Sequence, residues 1–96
     1  MTREEANKMI FDSIQSLLES DAINPIENFE KSSIILGNGS ELDSISFITF
    51  ITDIEDRIQE KTNKEVYLVL SEIDNFNINN PNLTAEGLAN YINSIT

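Results

Sequence analysis

Carboxylates and hydroxyls are the groups with which this sequence could do chemistry, because it contains neither cysteine nor histidine. The missing residues exclude disulfides and thiolate nucleophiles, a Ser-His-Asp triad and the usual general base near neutral pH. The acidic pairs Glu4-Glu5 and Glu55-Asp56 could in principle do acid–base work. Adjacent carboxylates on a helix do not face each other, however, and so short a chain offers no obvious cleft. We therefore predict that the protein is not an enzyme.

The charge balance limits the class of partner. Seventeen acidic and 6 basic residues give a net charge of −11. Such a surface repels nucleic acid and anionic lipids and attracts basic protein patches. The charged N-terminus and the lack of any apolar run near the roughly 20 residues of a membrane span predict a cytoplasmic protein without a secretory signal. With 96 residues, 40% of them apolar, we expect one domain over 1-96 and a monomer.

One hydroxyl, that of Ser44, lies where a long loop meets an amphipathic segment. Asp43 before it is a good N-cap, and the apolar spacing that follows predicts one helix from 43 or 44 to about 62. β-Branched and aromatic residues in its first half also favour a strand on propensity alone. By itself, an Asp-Ser pair at this place indicates only the start of a helix.

Two further helices frame this segment. Thr2 and Glu5 match a capping box before a helix over about 3–20, and Thr84 caps a final helix. Between the first two helices, 21–43 reads as a long loop held down by apolar anchors. In the second half we expect an extended segment at 66–70, without a strand partner, and a short helix near 71–76.

The predicted core comes from the three helical stripes. Phe47 and Phe50 lie three positions apart on a helix already lined with isoleucines. We therefore expect that the two are not both fully buried: one lies at the rim of the core or, in the alternative, is exposed beside Ser44. The remaining core candidates are Ile10, Ile14, Leu17, Ile48, Ile51, Ile54, Ile58, Leu88 and Ile92.

A family resemblance joins these features. The segment Leu42-Asp43-Ser44-Ile45 resembles the Asp-Ser-Leu attachment motif of acyl and peptidyl carrier proteins, with Ile45 in place of leucine. The helix after it is similar in pattern to the family's second helix, and 83–92 looks like its final helix, which often reads L-T-x-x-x-L-A-x-Y-I. The resemblance covers most of the chain. It implies an all-α, acyl-carrier-protein-like bundle of three main helices, a short third element and a long first loop.

The resemblance also implies a function and a site. Ser44 would carry a 4'-phosphopantetheine arm, transferred from coenzyme A by a phosphopantetheinyl transferase, whose thiol holds acyl groups as thioesters. Acyl-loading and acyl-accepting enzymes, in fatty acid, polyketide or another specialised biosynthesis, would be its partners. A helix start suits the phosphodiester of such a phosphoprotein, and Asp43 would serve transferase recognition or cap the helix. The expected partner contacts are Ile45, Phe47, Asp53, Glu55 and Asp56.

The sequence also departs from the family, and two other functions compete. The first two turns after Ser44 carry Ser46, Thr49 and Thr52 where common fatty-acid carriers have acidic residues. An acidic interaction module with the same fold, never modified, would explain everything except the serine. A calcium loop beginning at Asp74 fails, because its third, fifth, sixth and twelfth positions are the wrong residues.

Overall fold

The computed structural model describes residues 1–68 and 82–96. These residues form helix α1 (Arg3–Glu19), strand β1 (Ile34–Leu36), helix α2 (Ser44–Thr62), strand β2 (Leu83–Thr84) and helix α3 (Ala85–Ile95). The mostly helical architecture confirms the predicted class in its coarse form. The short helix expected near 71–76, the end of the 66–70 segment and the calcium loop tested at Asp74 lie outside the described residues.

Side-chain caps start all three helices at the predicted places. The Thr2 hydroxyl accepts a hydrogen bond from the Glu5 amide at 3.1 Å, while Glu5 Oε1 accepts one from the Thr2 amide at 3.0 Å. Asp43 caps α2, and Thr84 caps α3 by accepting from the Gly87 amide at 3.0 Å. These bonds satisfy amides that have no partner within the helix, which is why the boundaries are readable from sequence.

The core lies where α1 packs against α3 on one side and α2 on the other. Along α2, Phe47, Phe50, Ile54 and Ile58 are buried and form one continuous stripe. Phe50 is fully buried and Phe47 is 7% exposed, so the alternative in which one phenylalanine is exposed beside Ser44 is wrong. Most other predicted core residues are confirmed; the fully buried large side chains include Ile10, Ile35, Ile54, Ile58, Leu88 and Ile92.

Ile48 is the predicted core residue that the structure places outside, with 65% of its surface exposed. Because 47, 50, 54 and 58 already fill one helical face, a residue one position after Phe47 is turned roughly 100° away from that face. Ile51, on the border of the same stripe, is half-buried. The helix is thus rotated relative to the predicted packing, so that aromatic side chains replace an isoleucine in the core.

The predicted loop 21–43 contains β1, which the sequence analysis missed. It pairs antiparallel with β2, with Ile34 opposite Thr84 and Leu36 opposite Leu83 and an irregularity between the two pairs. The Ala85 amide also donates to the Ser33 carbonyl at 3.0 Å. A strand of three residues has too few positions to show an alternating pattern, and its partner is distant in sequence.

Apolar anchors hold the rest of this loop against the helices, as predicted. Of the predicted anchors outside β1, Ile26 and Phe29 pack against the core, and the Phe29 ring lies edge-on to Phe11 with 5.4 Å between ring centroids. Ile23 and Leu42 are further buried anchors. Among the described helices, none has the length and apolar content that crossing a bilayer requires.

Candidate functional site

Ser44 is the first residue of α2 and its side chain is exposed. Asp43 precedes it as the N-cap: Asp43 Oδ1 accepts from the Ser46 amide, and the Asp43 carbonyl accepts from the Phe47 amide, both at 2.8 Å. Within residues 1–68 and 82–96, no hydrogen bond engages the Ser44 hydroxyl. The start of α2 thus presents an accessible hydroxyl on a backbone that is held by its neighbours.

The charge of Asp43 is stabilised by this cap. The backbone amide of Ser46 donates to the carboxylate, and this bond lowers the pKa of Asp43 below its ordinary value. The Ser46 amide is therefore taken by a carboxylate and does not remain for an added phosphate. An anion attached at Ser44 would be stabilised by the helix dipole and by the remaining first-turn amides. It would lie beside the fixed negative charge of Asp43.

Asn24, in the loop after α1, joins that loop to the start of α2 by three hydrogen bonds. Its side-chain Oδ1 accepts from the Asp43 amide at 3.1 Å, and its Nδ2 donates to the Glu41 carbonyl at 2.8 Å. Its own amide donates to Ser46 Oγ at 2.8 Å. The sequence analysis missed this role, because it treated 21–43 only as a loop held by apolar anchors. The local sequence has no feature that identifies partners this far along the chain.

An uncharged surface follows Ser44 along α2. Ile45 and Ile48 are 78% and 65% exposed. The Thr49 and Thr52 hydroxyls donate to the carbonyls of Ile45 and Ile48, each at 3.0 Å. Both threonine hydroxyls thus bond back to their own helix. We call the surface formed by Ile45, Ile48, Thr49 and Thr52 the uncharged patch. Exposed large apolar side chains that lie together are a common feature of interaction surfaces.

The acidic residues predicted as partner contacts have different surroundings. Asp53 Oδ2 accepts from Ser13 Oγ at 2.5 Å and from Arg57 Nε at 2.6 Å, which ties α2 to α1. Glu55 Oε2 accepts from the Leu68 amide at 2.8 Å and holds that segment on α2. Both are half-buried, whereas Asp56 is exposed.

The five predicted contacts therefore divide by exposure. Ile45 and Asp56 lie on the surface, and Asp53 and Glu55 have internal hydrogen-bond partners. Phe47 is a core residue. The apolar side chain that is exposed one helical turn after Ser44 is that of Ile48.

Two shallow grooves run along the flanks of α1. The groove shared with α2 is charged, and the other, shared with the loop at Phe29, is mainly apolar. Neither groove is lined by Ser44 or by a residue of the uncharged patch. The charged groove is lined by Glu5, Lys8, Met9, Asp12, Arg57, Glu60 and Lys61, and the apolar groove by Phe11, Ile14, Gln15, Leu18, Glu19 and Phe29.

No protein-family model matches the sequence, and no significant match was found among curated proteins or among solved structures.

Proposed function

We propose that this protein is an acyl carrier that bears a 4'-phosphopantetheine arm on Ser44. The observation that carries the proposal is the exposed hydroxyl of Ser44, which no other described residue engages, at the first residue of α2 and directly after the capping Asp43. The Leu42-Asp43-Ser44-Ile45 segment, in which this serine lies, resembles the attachment motif of carrier proteins. The three helices within residues 1–68 and 82–96, the acidic composition and the lack of cysteine are compatible with this role.

The proposed modification is a group transfer that balances without a redox step. The Ser44 oxygen attacks the phosphorus that bears the pantetheine in coenzyme A, and the pyrophosphate bond to the adenosine portion breaks. A phosphodiester forms on Ser44, adenosine 3',5'-bisphosphate leaves, and the hydroxyl proton passes to a base of the transferase or to water. When bound, the arm supplies the thiol on which acyl groups are held as thioesters.

The residues around Ser44 have separate parts in this proposal. Asp43 caps α2 and places a carboxylate next to the hydroxyl, where it is available to the transferase and its magnesium ion. Ile45, Ile48 and the exposed Asp56 form the surface that the transferase and the acyl-loading and acyl-accepting enzymes contact. The protein itself catalyses no step and works as a monomer.

An unmodified interaction module is the second candidate function. The exposed Ile45 and Ile48 favour it, since an apolar surface can recruit a partner whether or not Ser44 is modified. The two functions differ in whether the Ser44 hydroxyl reacts.

Intact mass spectrometry tests the proposal. The protein is incubated with coenzyme A, magnesium and a promiscuous phosphopantetheinyl transferase. The wild type should gain one phosphopantetheine group and Ser44→Ala should gain none. Ser16→Ala, which removes an exposed serine of α1, is the matched control and should be modified like the wild type. A wild type that is helical by circular dichroism yet unmodified by two different transferases would overturn the proposal and favour the interaction module.

A further inference from the structure

Asn24 makes hydrogen bonds to the backbone segment that precedes Ser44. Its carboxamide binds the chain on both sides of Leu42, through the Glu41 carbonyl and the Asp43 amide. Its main-chain amide binds the hydroxyl of Ser46, a side chain that is 4% exposed. Ser44 therefore lies between two points, Asp43 and Ser46, that are both anchored to Asn24.

The chemistry of the side chain suits this place. A carboxamide has a donor and an acceptor in one plane, so it can satisfy a backbone carbonyl and a backbone amide together. An aspartate at position 24 would lack the donor for the Glu41 carbonyl. It would also add a carboxylate next to Asp43. An alanine would remove both bonds and leave the Asp43 amide without this partner.

We propose that Asn24 is a positioning residue for the transfer of phosphopantetheine to Ser44, an inference that rests on the proposed function. Asn24 does not touch the reacting atoms. It holds the loop segment 41–43 against the first turn of α2, which fixes the backbone at Ser44 and with it the direction of the Cα–Cβ bond that carries the hydroxyl. In-line attack on phosphorus depends on such a direction, since a displacement of roughly 1 Å can cost about 100-fold in rate.

A loss of stability alone would not misplace Ser44 for attack, and a variant at Ser13 provides the comparison. Ser13 is fully buried and donates to Asp53 at 2.5 Å, which joins α1 to α2 at a place remote in sequence from Ser44. Ser13→Ala removes a hydrogen bond between elements, as Asn24→Ala does, but leaves the bonds from Asn24 to Glu41, Asp43 and Ser46 in place. Comparison of the two variants therefore separates the effect of a lower fold stability from the effect of a less well positioned Ser44.

Steady-state kinetics of the transferase with wild type, Asn24→Ala and Ser13→Ala test the proposal. Urea unfolding is measured on each protein, and conditions are chosen at which all three are folded. Asn24→Ala should lower kcat for arm transfer by about tenfold or more, with a smaller change in KM for the carrier. Ser13→Ala should keep kcat within about twofold of the wild type. Amide hydrogen exchange should be faster at Asp43 in Asn24→Ala and unchanged there in Ser13→Ala.

The other outcomes decide against the inference in distinguishable ways. If the wild type is modified and Asn24→Ala retains its kcat, the positioning role is overturned and the carrier function stands. An equal loss of kcat in Ser13→Ala would show that only general stability matters, and would likewise overturn it. If two transferases fail to modify the folded wild type, the proposed function fails and the role of Asn24 in transfer fails with it.

Discussion

At the scale of single residues, the start of α2 contains three polar side chains with different uses. Asp43 caps the helix through Oδ1 and Ser46 accepts the Asn24 amide, so both side chains contribute hydrogen bonds to the fold. The Ser44 hydroxyl has no such use in the described structure and is exposed. A polar group that the fold leaves accessible, between neighbours that the fold has fixed, is well placed to react.

Gly37 is the residue for which the structure predicts the largest backbone effect. Its φ is +115°, and a Cβ built there would lie 2.3 Å from Asn82 Oδ1. Gly39 also has a positive φ, +80°, but the nearest atom to its Cβ would be 3.8 Å away on Ile34. We expect Gly37→Ala to lower the free energy of unfolding by about 2 kcal/mol or more, and Gly39→Ala by about 1 kcal/mol.

Urea denaturation of the two alanine variants measures this difference. Both variants share the strain of a positive φ, so the difference between them reports the contact with Asn82. Equal losses of stability would show that Asn82 moves aside without cost.

At the scale of elements, α2 has a buried aromatic stripe and, about a quarter-turn away, an uncharged exposed patch. Because the two surfaces lie on different sides of the helix, the patch contributes little to the core. We expect Ile45→Ser and Ile48→Ser, together, to leave stability nearly unchanged, since exposed substitutions usually change it by about 0.5 kcal/mol or less.

The same double variant should weaken docking. If the patch meets the transferase, KM for the carrier should rise by about tenfold, which corresponds to about 1.4 kcal/mol. Ile95→Ser is the control, because Ile95 is a 40% exposed isoleucine at the end of α3, outside the patch. An unchanged KM in Ile45→Ser/Ile48→Ser, beside a modified wild type, would place transferase recognition elsewhere on the surface.

At the scale of the whole molecule, an ion pair joins two helices in a chain with a large negative charge. Lys61 Nζ of α2 lies 2.9 Å from Glu5 Oε2 of α1. The Thr2 backbone amide, together with Lys61, lowers the pKa of Glu5 from 4.5 to about 2. Glu5 thus takes part both in a capping box and in a contact between two helices.

This lowered pKa predicts acid sensitivity with a definite sign. A carboxyl whose pKa is lower in the folded state stabilises the fold fully above its unfolded value, near 4.5. That contribution is lost as the pH falls from 4.5 through about 2, where Glu5 becomes protonated. The lowered pKa of Asp43 acts in the same direction.

Thermal unfolding of wild type and Glu5→Gln between pH 6 and pH 2 measures the contribution of Glu5. The stability difference between the two proteins should be largest at pH 6 and shrink as the pH falls. Lys8→Gln, which removes an exposed pair within α1, is the control and should change stability little at any pH in this range. A difference between wild type and Glu5→Gln that does not depend on pH would contradict the assignment.

The sequence alone determined where the helices begin. Thr2, Asp43 and Thr84 each bond to an amide three residues later, a contact within one turn that local sequence specifies. The same local signal located Ser44 at the start of α2. Its proposed modification was inferred from the resemblance and remains a prediction.

Only the tertiary structure decided which side of α2 is buried, and what holds Ser44 in place. Phe47, Phe50 and Ile48 are all apolar, so the choice among them depends on the shapes of the helices they meet. The pairing of β1 with β2 and the bonds of Asn24 join residues that are distant along the chain. Such contacts leave no periodic pattern in a short segment, because each depends on how the whole chain closes around its core.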